Sequence, residues 1–320
     1  MSPRIAVAPY PGQVERQIKS NFHPLPRARR PLTKLARAGR RGSGNQREMQ
    51  MFNYYLRLQE GLALRALDAK KGEGAVRALV LEGKPGVGKT ALGRYYAEAN
   101  SGKVEYYLCH HWSSDEDLFI GVDVGRVAAG VERAEDAYRP GVLLRAVTAS
   151  HDGLVVVIID ELDKAPERAE TLLLDFLQTG EVHGPRGEVW RANLRNLVVF
   201  ITTNGLRPLL EATLRRCFRV HMEYLPPNVE ADILRKQTGA PTGVIRLVVR
   251  MGNVIRTAGE TAVSLQEMQR LLEDLSVAQS AAEVEVLIRG WLVKEDGDWR
   301  ALVAELKNPA AALWGEWRKR

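Results

Sequence analysis

The chain has 320 residues, of which 45% are apolar and 27% charged, with a net charge of +7; this supports one large or two modest globular domains. Two cysteines, Cys109 and Cys217, are too few and too far apart for a disulfide framework or a four-ligand zinc site, and they fit a reducing compartment. No apolar stretch reaches membrane-spanning length and the first residues lack the apolar core of a secretory signal, so a cytoplasmic protein without a membrane partner is expected.

Residues 1–45 hold ten Lys or Arg against one acid, Glu15, a local charge of +9, and the remaining 275 residues carry −2. The same segment has six of the 15 prolines, which predicts an extended arm. Such an arm is a solvated tail, a tether for nucleic acid, or a strap across a neighbouring subunit.

From Asn45 to about Lys71 the spacing of Met49, Phe52, Leu56, Leu62, Ala63 and Leu67 predicts a helix, interrupted near Gly61. The GEG at 72–74 ends it. Four apolar runs follow, at 78–83, 104–109, 154–160 and 197–204, separated by helical stretches. Runs so uniformly apolar predict strands buried on both faces, an α/β fold with a parallel sheet sandwiched by helices.

The first run leads into LEGKPGVGKT, in which Gly83, Gly88, Lys89 and Thr90 satisfy the pattern G-x-x-x-x-G-K-[ST] between a strand and a helix. Glycines let backbone N–H groups approach phosphate oxygens, and the following helix turns its positive end to the anion. The candidate nucleotide cradle is therefore Gly83, Lys84, Pro85, Gly86, Val87, Gly88, Lys89, Thr90 and Ala91. Lys89 supplies a charge at the β and γ phosphates, and the Thr90 hydroxyl is a candidate ligand of Mg²⁺.

Cys109, His110 and His111 stand together in CHHWSSDEDLF, but consecutive histidines diverge on a strand and no second ligand cluster follows. A loop near the nucleotide or a ring pore is the reading preferred to a metal site. The third run, VVVIIDELDKAP, ends in Asp160 and Glu161 at the carboxyl edge of a strand, where open α/β sheets bind ligands. Asp160 is the candidate holder of Mg²⁺ and Glu161 the candidate base for the attacking water. Residues 180–196 carry a Gly-Pro-Arg-Gly turn between valine-bearing arms and predict a hairpin, either inert or a place to touch a client.

The fourth run ends at Asn204, which either orients the water and γ phosphate or is a turn asparagine before Gly205. About twelve residues on, Arg215 and Arg216 end a predicted helix. They are candidates for an arginine finger offered to a neighbouring subunit, or else a solvated helix end.

After Pro226 and Pro227 helical periodicity dominates, which predicts a small helical domain over 228–290. Ser264 and Glu267 form a capping box at a helix start. Four of the six tryptophans, Trp291, Trp299, Trp314 and Trp317, fall in the last 30 residues. They either pack on the helical domain or make a docking face.

The phosphate loop, DELDKAP, TTN and the RRC arginines, in that order, resemble the core of an AAA+ ATPase. YRPGVLLRAV before the acidic strand and DELDKAPERAETLLLDFLQTGEVHGP after it resemble the MoxR branch, over roughly residues 75–275. The resemblance implies a nucleotide-binding domain at 46–227, a helical lid at 228–290, and a homo-oligomeric ring, typically hexameric, acting on a client protein. It also implies ATP contacts from Gly86, Gly88, Lys89 and Thr90, metal binding through Asp160, catalysis by Glu161 and γ-phosphate sensing by Asn204. Arg216 is the preferred finger and Arg215 the reserve. One position departs from the pattern: Gln266 stands where relatives place a second sensing arginine. Either Arg256 or Arg270 substitutes from nearby, or the coupling of γ phosphate to lid motion is weaker.

Overall fold

Phosphate-binding loops work at the carboxyl edge of a parallel sheet, and the central strands of this chain build such an edge. The computed structural model describes residues 54–72, 74–130 and 137–319, all within one compact unit that begins at Met49. The basic arm expected over residues 1–45 lies outside the described residues.

Five strands form the main sheet: β1 (Arg77–Glu82), β2 (Lys103–Leu108), β3 (Val155–Asp160), β4 (Leu197–Thr203) and β5 (Phe218–His221). Their order is β2-β3-β4-β1-β5, and every pairing is parallel. Strands β1, β3 and β4 are buried almost throughout, as their Val, Ile and Leu content predicts. Their side chains divide by parity. Val155, Val157, Ile159, Val199 and Ile201 pack with Leu143, Val147, Leu173 and Phe176 of the helices Val142–Ala149 and Glu167–Thr179. Val156, Ile158, Val198 and Phe200 pack with Leu64, Leu67, Leu92 and Tyr96 of the helices Leu58–Ala69 and Lys89–Ala99. Helices therefore cover both faces, and the α/β sandwich read from the sequence is the observed architecture.

Two local expectations are corrected, and a fifth strand adds to the four expected. The run at 104–109 is an edge strand, Lys103–Leu108, in which only Glu105 is buried, because β2 has a neighbour on one side only. Strand β5, with Arg219 and His221 exposed, has no apolar run to announce it, since it lies on the other edge. Gly61 does not interrupt a helix; it lies inside Leu58–Ala69 and donates its N–H to Arg57 O at 2.9 Å. The predicted hairpin is present, with Glu181–His183 antiparallel to Val189–Arg191.

From Pro227 onward the described residues are helical, and one apolar cluster joins Leu234, Val248, Ile255, Leu271, Ile288, Leu302, Leu313 and Trp317. The Trp-rich segment is thus packed into the helical domain: Trp317 is buried, while Trp291, Trp299 and Trp314 lie partly buried against the same core. No helix among the described residues is long and apolar enough to cross a membrane.

Candidate nucleotide site

Because β1 lies beside β4 and β4 beside β3, the ends of these strands bring the phosphate loop, Asn204 and the Asp160–Glu161 pair to one edge of the sheet. The loop leaves β1 and enters the helix Lys89–Ala99 with Gly86 at φ +81° and Gly88 at φ +98°, values that side chains disfavour. Above it lies a cleft of about 530 Å³, lined by residues 85–91, Asp160, Glu161 and Asn204. Its other walls are Tyr54, Tyr55 and Arg57, then Tyr224 and Leu225, and from the helical domain Glu230, Ser264, Gln266 and Gln269.

Lys89 is 7% exposed, and its Nζ donates to Gly83 O at 2.6 Å, Lys84 O at 2.9 Å and Asn204 Oδ1 at 2.7 Å. Burial lowers its pKa, an effect opposed by the nearby carboxylates of Asp160, Asp163 and Glu161. Asn204 turns its amide nitrogen the other way and donates from Nδ2 to Glu161 Oε1 at 2.7 Å. One side chain therefore spans from the loop lysine to the acid.

Glu161 follows the last residue of β3 in a left-handed conformation, φ +55° and ψ +50°, uncommon for a residue with a Cβ. Its N–H donates to Thr202 Oγ1 at 2.8 Å, which holds the turn, and Lys164 Nζ lies 2.6 Å from Oε2. Asp163, from the same DELDK stretch, accepts the backbone N–H of Asn204 at 3.1 Å and of Leu206 at 2.9 Å. That buried carboxylate shapes the turn that aims Asn204.

The Asp160 carboxylate accepts from Thr90 Oγ1 at 2.9 and 3.1 Å, from Thr202 Oγ1 at 2.6 Å and from Tyr106 OH at 2.9 Å. A hydroxyl facing a carboxylate at the foot of the phosphate loop is an all-oxygen donor set and fits a hard divalent cation such as Mg²⁺. Burial, and then the bond to Asp160, push the Tyr106 phenol up to about 12, so it remains a donor at neutral pH.

Of the expected loop residues, 85–91 line the cleft together with Asp160, Glu161 and Asn204, whereas Gly83 and Lys84 do not and meet Lys89 through their carbonyls. Arg215 and Arg216 are not among its lining residues. They end the helix Glu211–Arg216 with exposed side chains, Arg215 paired with Glu211 and Arg216 Nη1 donating to Ala212 O at 3.0 Å. Gln266 lines the cleft, whereas Arg256 and Arg270 do not; Arg270 is exposed beside Glu273. Cys109 is buried, with its thiol pushed up to about 12 by desolvation and then by Asp160.

Residues 78–217 match the family model described as AAA domain (dynein-related subfamily). The chain carries an AAA domain. The protein BssE of Thauera aromatica, named as a chaperone, is 24% identical over 230 residues, which take in 68% of this chain and 75% of that one. Among solved structures, a RuvB mutant from Thermotoga maritima is 14% identical with a TM-score of 0.48, covering 82% of this chain and 83% of its own. A second Thermotoga maritima structure, titled as a RuvB Holliday junction branch migration motor, is 16% identical with a TM-score of 0.40, over 77% and 68%.

Several residues that hold the cleft's side chains in place carry no sequence motif, and one of them, Arg57, precedes the matched segment. Tyr106 sits on the edge strand two residues before Leu108, which pairs with Asp160, and only that register brings its hydroxyl to the carboxylate. Arg57 donates from Nε to Glu60 Oε1 at 2.6 Å and from Nη2 to Val87 O at 3.0 Å, and its Nη1 reaches Glu223 O. Lys164 and Asp163 do lie within the acidic motif, at spacings from Glu161 that a tight turn after the strand would have flagged.

Proposed function

We propose that this protein is an ATPase of the MoxR-like kind, which binds ATP and Mg²⁺ in the cleft and hydrolyses it at the subunit interfaces of a ring, hexameric in number, to remodel a client protein. The observation that supports it most is the line Lys89–Asn204–Glu161, both of whose hydrogen bonds are 2.7 Å. A group that grips phosphate and a group that can take a proton are thereby held in one frame. The dynein-related AAA domain supports the ATPase reading, and the likeness to a protein named as a chaperone supports the client.

In this reading residues 46–227 are the nucleotide-binding domain and 228–290 the lid, with 291–320 packed onto it. The backbone N–H groups of Gly86, Gly88, Lys89 and Thr90 and the Lys89 ammonium hold the β and γ phosphates. Thr90 and Asp160 hold the Mg²⁺, which when bound neutralises phosphate charge. Glu161 takes a proton from water as the oxygen attacks the γ phosphorus; the bond to the β–γ bridging oxygen breaks, leaving ADP and inorganic phosphate. Asn204 keeps the Glu161 carboxylate pointed at that water. Arg216 of one subunit, with Arg215 in reserve, reaches the γ phosphate bound by the next, consistent with its exposure away from its own cleft. A cytoplasmic location fits two free cysteines.

Replacing Glu161→Gln tests this directly: ATP binding should persist while phosphate release falls by about 100-fold or more. Lys89→Ala should abolish binding itself. Unchanged turnover in Glu161→Gln would leave a nucleotide-gated scaffold. The +9 charge of residues 1–45 favours a second reading, an ATP-dependent nucleic-acid factor such as a loader or mobile-element regulator. Salt-sensitive DNA or RNA binding that disappears on removal of residues 1–45 would select it.

A further inference from the structure

Gln266 brings no charge to the cleft, which leaves open what ties the helical domain to the phosphate loop. Two contacts do so. Tyr224 OH donates to Pro85 O at 3.1 Å. Ser264 packs so closely on Gly86 that a Cβ there would stand 2.5 Å from Ser264 Cβ. The first holds the loop by a carbonyl, the second by a close approach to its backbone.

Arg256 joins the two. Its guanidinium carbon lies 3.9 Å from the Tyr224 ring centroid. Its Nε donates to the carbonyl of Val263, the residue before Ser264, at 2.7 Å. Nη1 donates to Glu230 Oε2 at 2.9 Å and Nη2 lies 2.9 Å from Oε1, with side chains only 4% and 2% exposed. A buried ion pair adds little net stability but is costly to break, so the guanidinium is pinned in place. Stacking on a ring while donating to a carboxylate from Nη1 and to a backbone carbonyl from Nε needs a planar group with several donors, which lysine is not.

We propose that Arg256 is a positioning residue that locks the helical domain onto the phosphate loop, so that the shape of residues 84–88 and the seat of the helix Leu265–Asp274 change together. A ligand that reshapes the loop then moves Tyr224 and Ser264 through one guanidinium, without a cation at Gln266 to read the γ phosphate. The inference rests on the ATP reading for its ligand alone; the clamp itself is a property of the chain.

Hydrogen exchange on the full chain tests it, with Arg256→Lys, which keeps a charge beside Glu230, and Tyr224→Phe, which removes only the hydroxyl. Without nucleotide, exchange should rise together in residues 84–88 and 264–268 by about five-fold, the loss of one hydrogen bond's worth of protection. Strand β3 should keep its protection, which certifies that each variant is folded. With ATP and Mg²⁺, the wild type should become protected in both segments and the variants in 84–88 alone, and the KM for ATP should rise more than kcat falls. Unchanged exchange in Tyr224→Phe, or a change confined to one segment, overturns the clamp. If ATP fails to protect even the wild type, the ATP reading falls, and the nucleotide-free comparison still decides the role of Arg256.

Discussion

Asn204 donates from Nδ2 to Glu161 Oε1 at 2.7 Å, and its Oδ1 simultaneously accepts from Lys89 Nζ at the same distance. An amide is the side chain suited to this place, since it presents a donor to the carboxylate and an acceptor to the ammonium. Asn204→Ala removes both bonds without touching the loop backbone. Its kcat for ATP is expected to fall by about 10- to 100-fold, with a smaller change in ATP affinity. Steady-state phosphate release and equilibrium titration separate the two; a loss confined to affinity would remove Asn204 from the chemical step.

Tyr106 offers a test of the cation site from outside the motifs. Its hydroxyl is one of three that Asp160 accepts. Tyr106→Phe leaves the carboxylate less firmly oriented, and the Mg²⁺ concentration for half-maximal ATPase activity should rise by about 10-fold. A magnesium titration at fixed ATP is the measurement, and an unmoved midpoint would reduce Tyr106 to packing.

Gly86 is constrained twice, by φ +81° and by Ser264 packed against it. Gly86→Ala must strain the loop and displace Ser264, at a local cost of about 1–3 kcal/mol. ATP affinity is expected to drop by one to two orders of magnitude, roughly the same energy expressed as binding. Calorimetric titration of the folded variant checks this.

Asp298 is fully buried in the helical domain and accepts from the backbone N–H groups of Glu260, Thr261, Lys294 and Glu295 and from Thr261 Oγ1. Burial alone would raise its pKa, but these donors outweigh burial and the net direction is downward. A carboxyl depressed on folding stabilises above its unfolded pKa of about 3.9, and that contribution is lost as pH falls through the lower folded value. Asp298→Ala should therefore cost about 2–4 kcal/mol near neutral pH, with the difference from wild type closing below about pH 4. Denaturant melts at several pH values follow it; a gap that stays constant into acid would mean that the charge is not the stabilising element.

Much of the AAA domain was legible before any tertiary contact was known. Gly86 and Gly88 announce a loop because glycine tolerates positive φ. The Val- and Ile-rich β1, β3 and β4 announce buried strands because their neighbours cover both faces, and Asp160 at the end of β3 and Asn204 directly after β4 were candidates by that position alone. The capping box of Ser264 and Glu267 is likewise local and is observed, with Ser264 N–H donating to Glu267 Oε2 at 2.6 Å. Strand β5 escaped because an exposed edge needs no apolar run, and the four late tryptophans were ambiguous because aromatic side chains serve cores and docking faces alike.

The amino-acid order by itself determined what depends on near neighbours along the chain: the bend of the phosphate loop, the buried centre of the sheet, and the helical character of the chain after Pro227. Only the tertiary structure decided which distant groups meet. Strand order brought Asn204 between Lys89 and Glu161, register brought Tyr106 to Asp160, and the seat of the helical domain brought Arg256 over Tyr224. Backbone preference acts over a few residues, whereas hydrogen bonds and stacking act over a few ångströms of space whatever the separation in sequence.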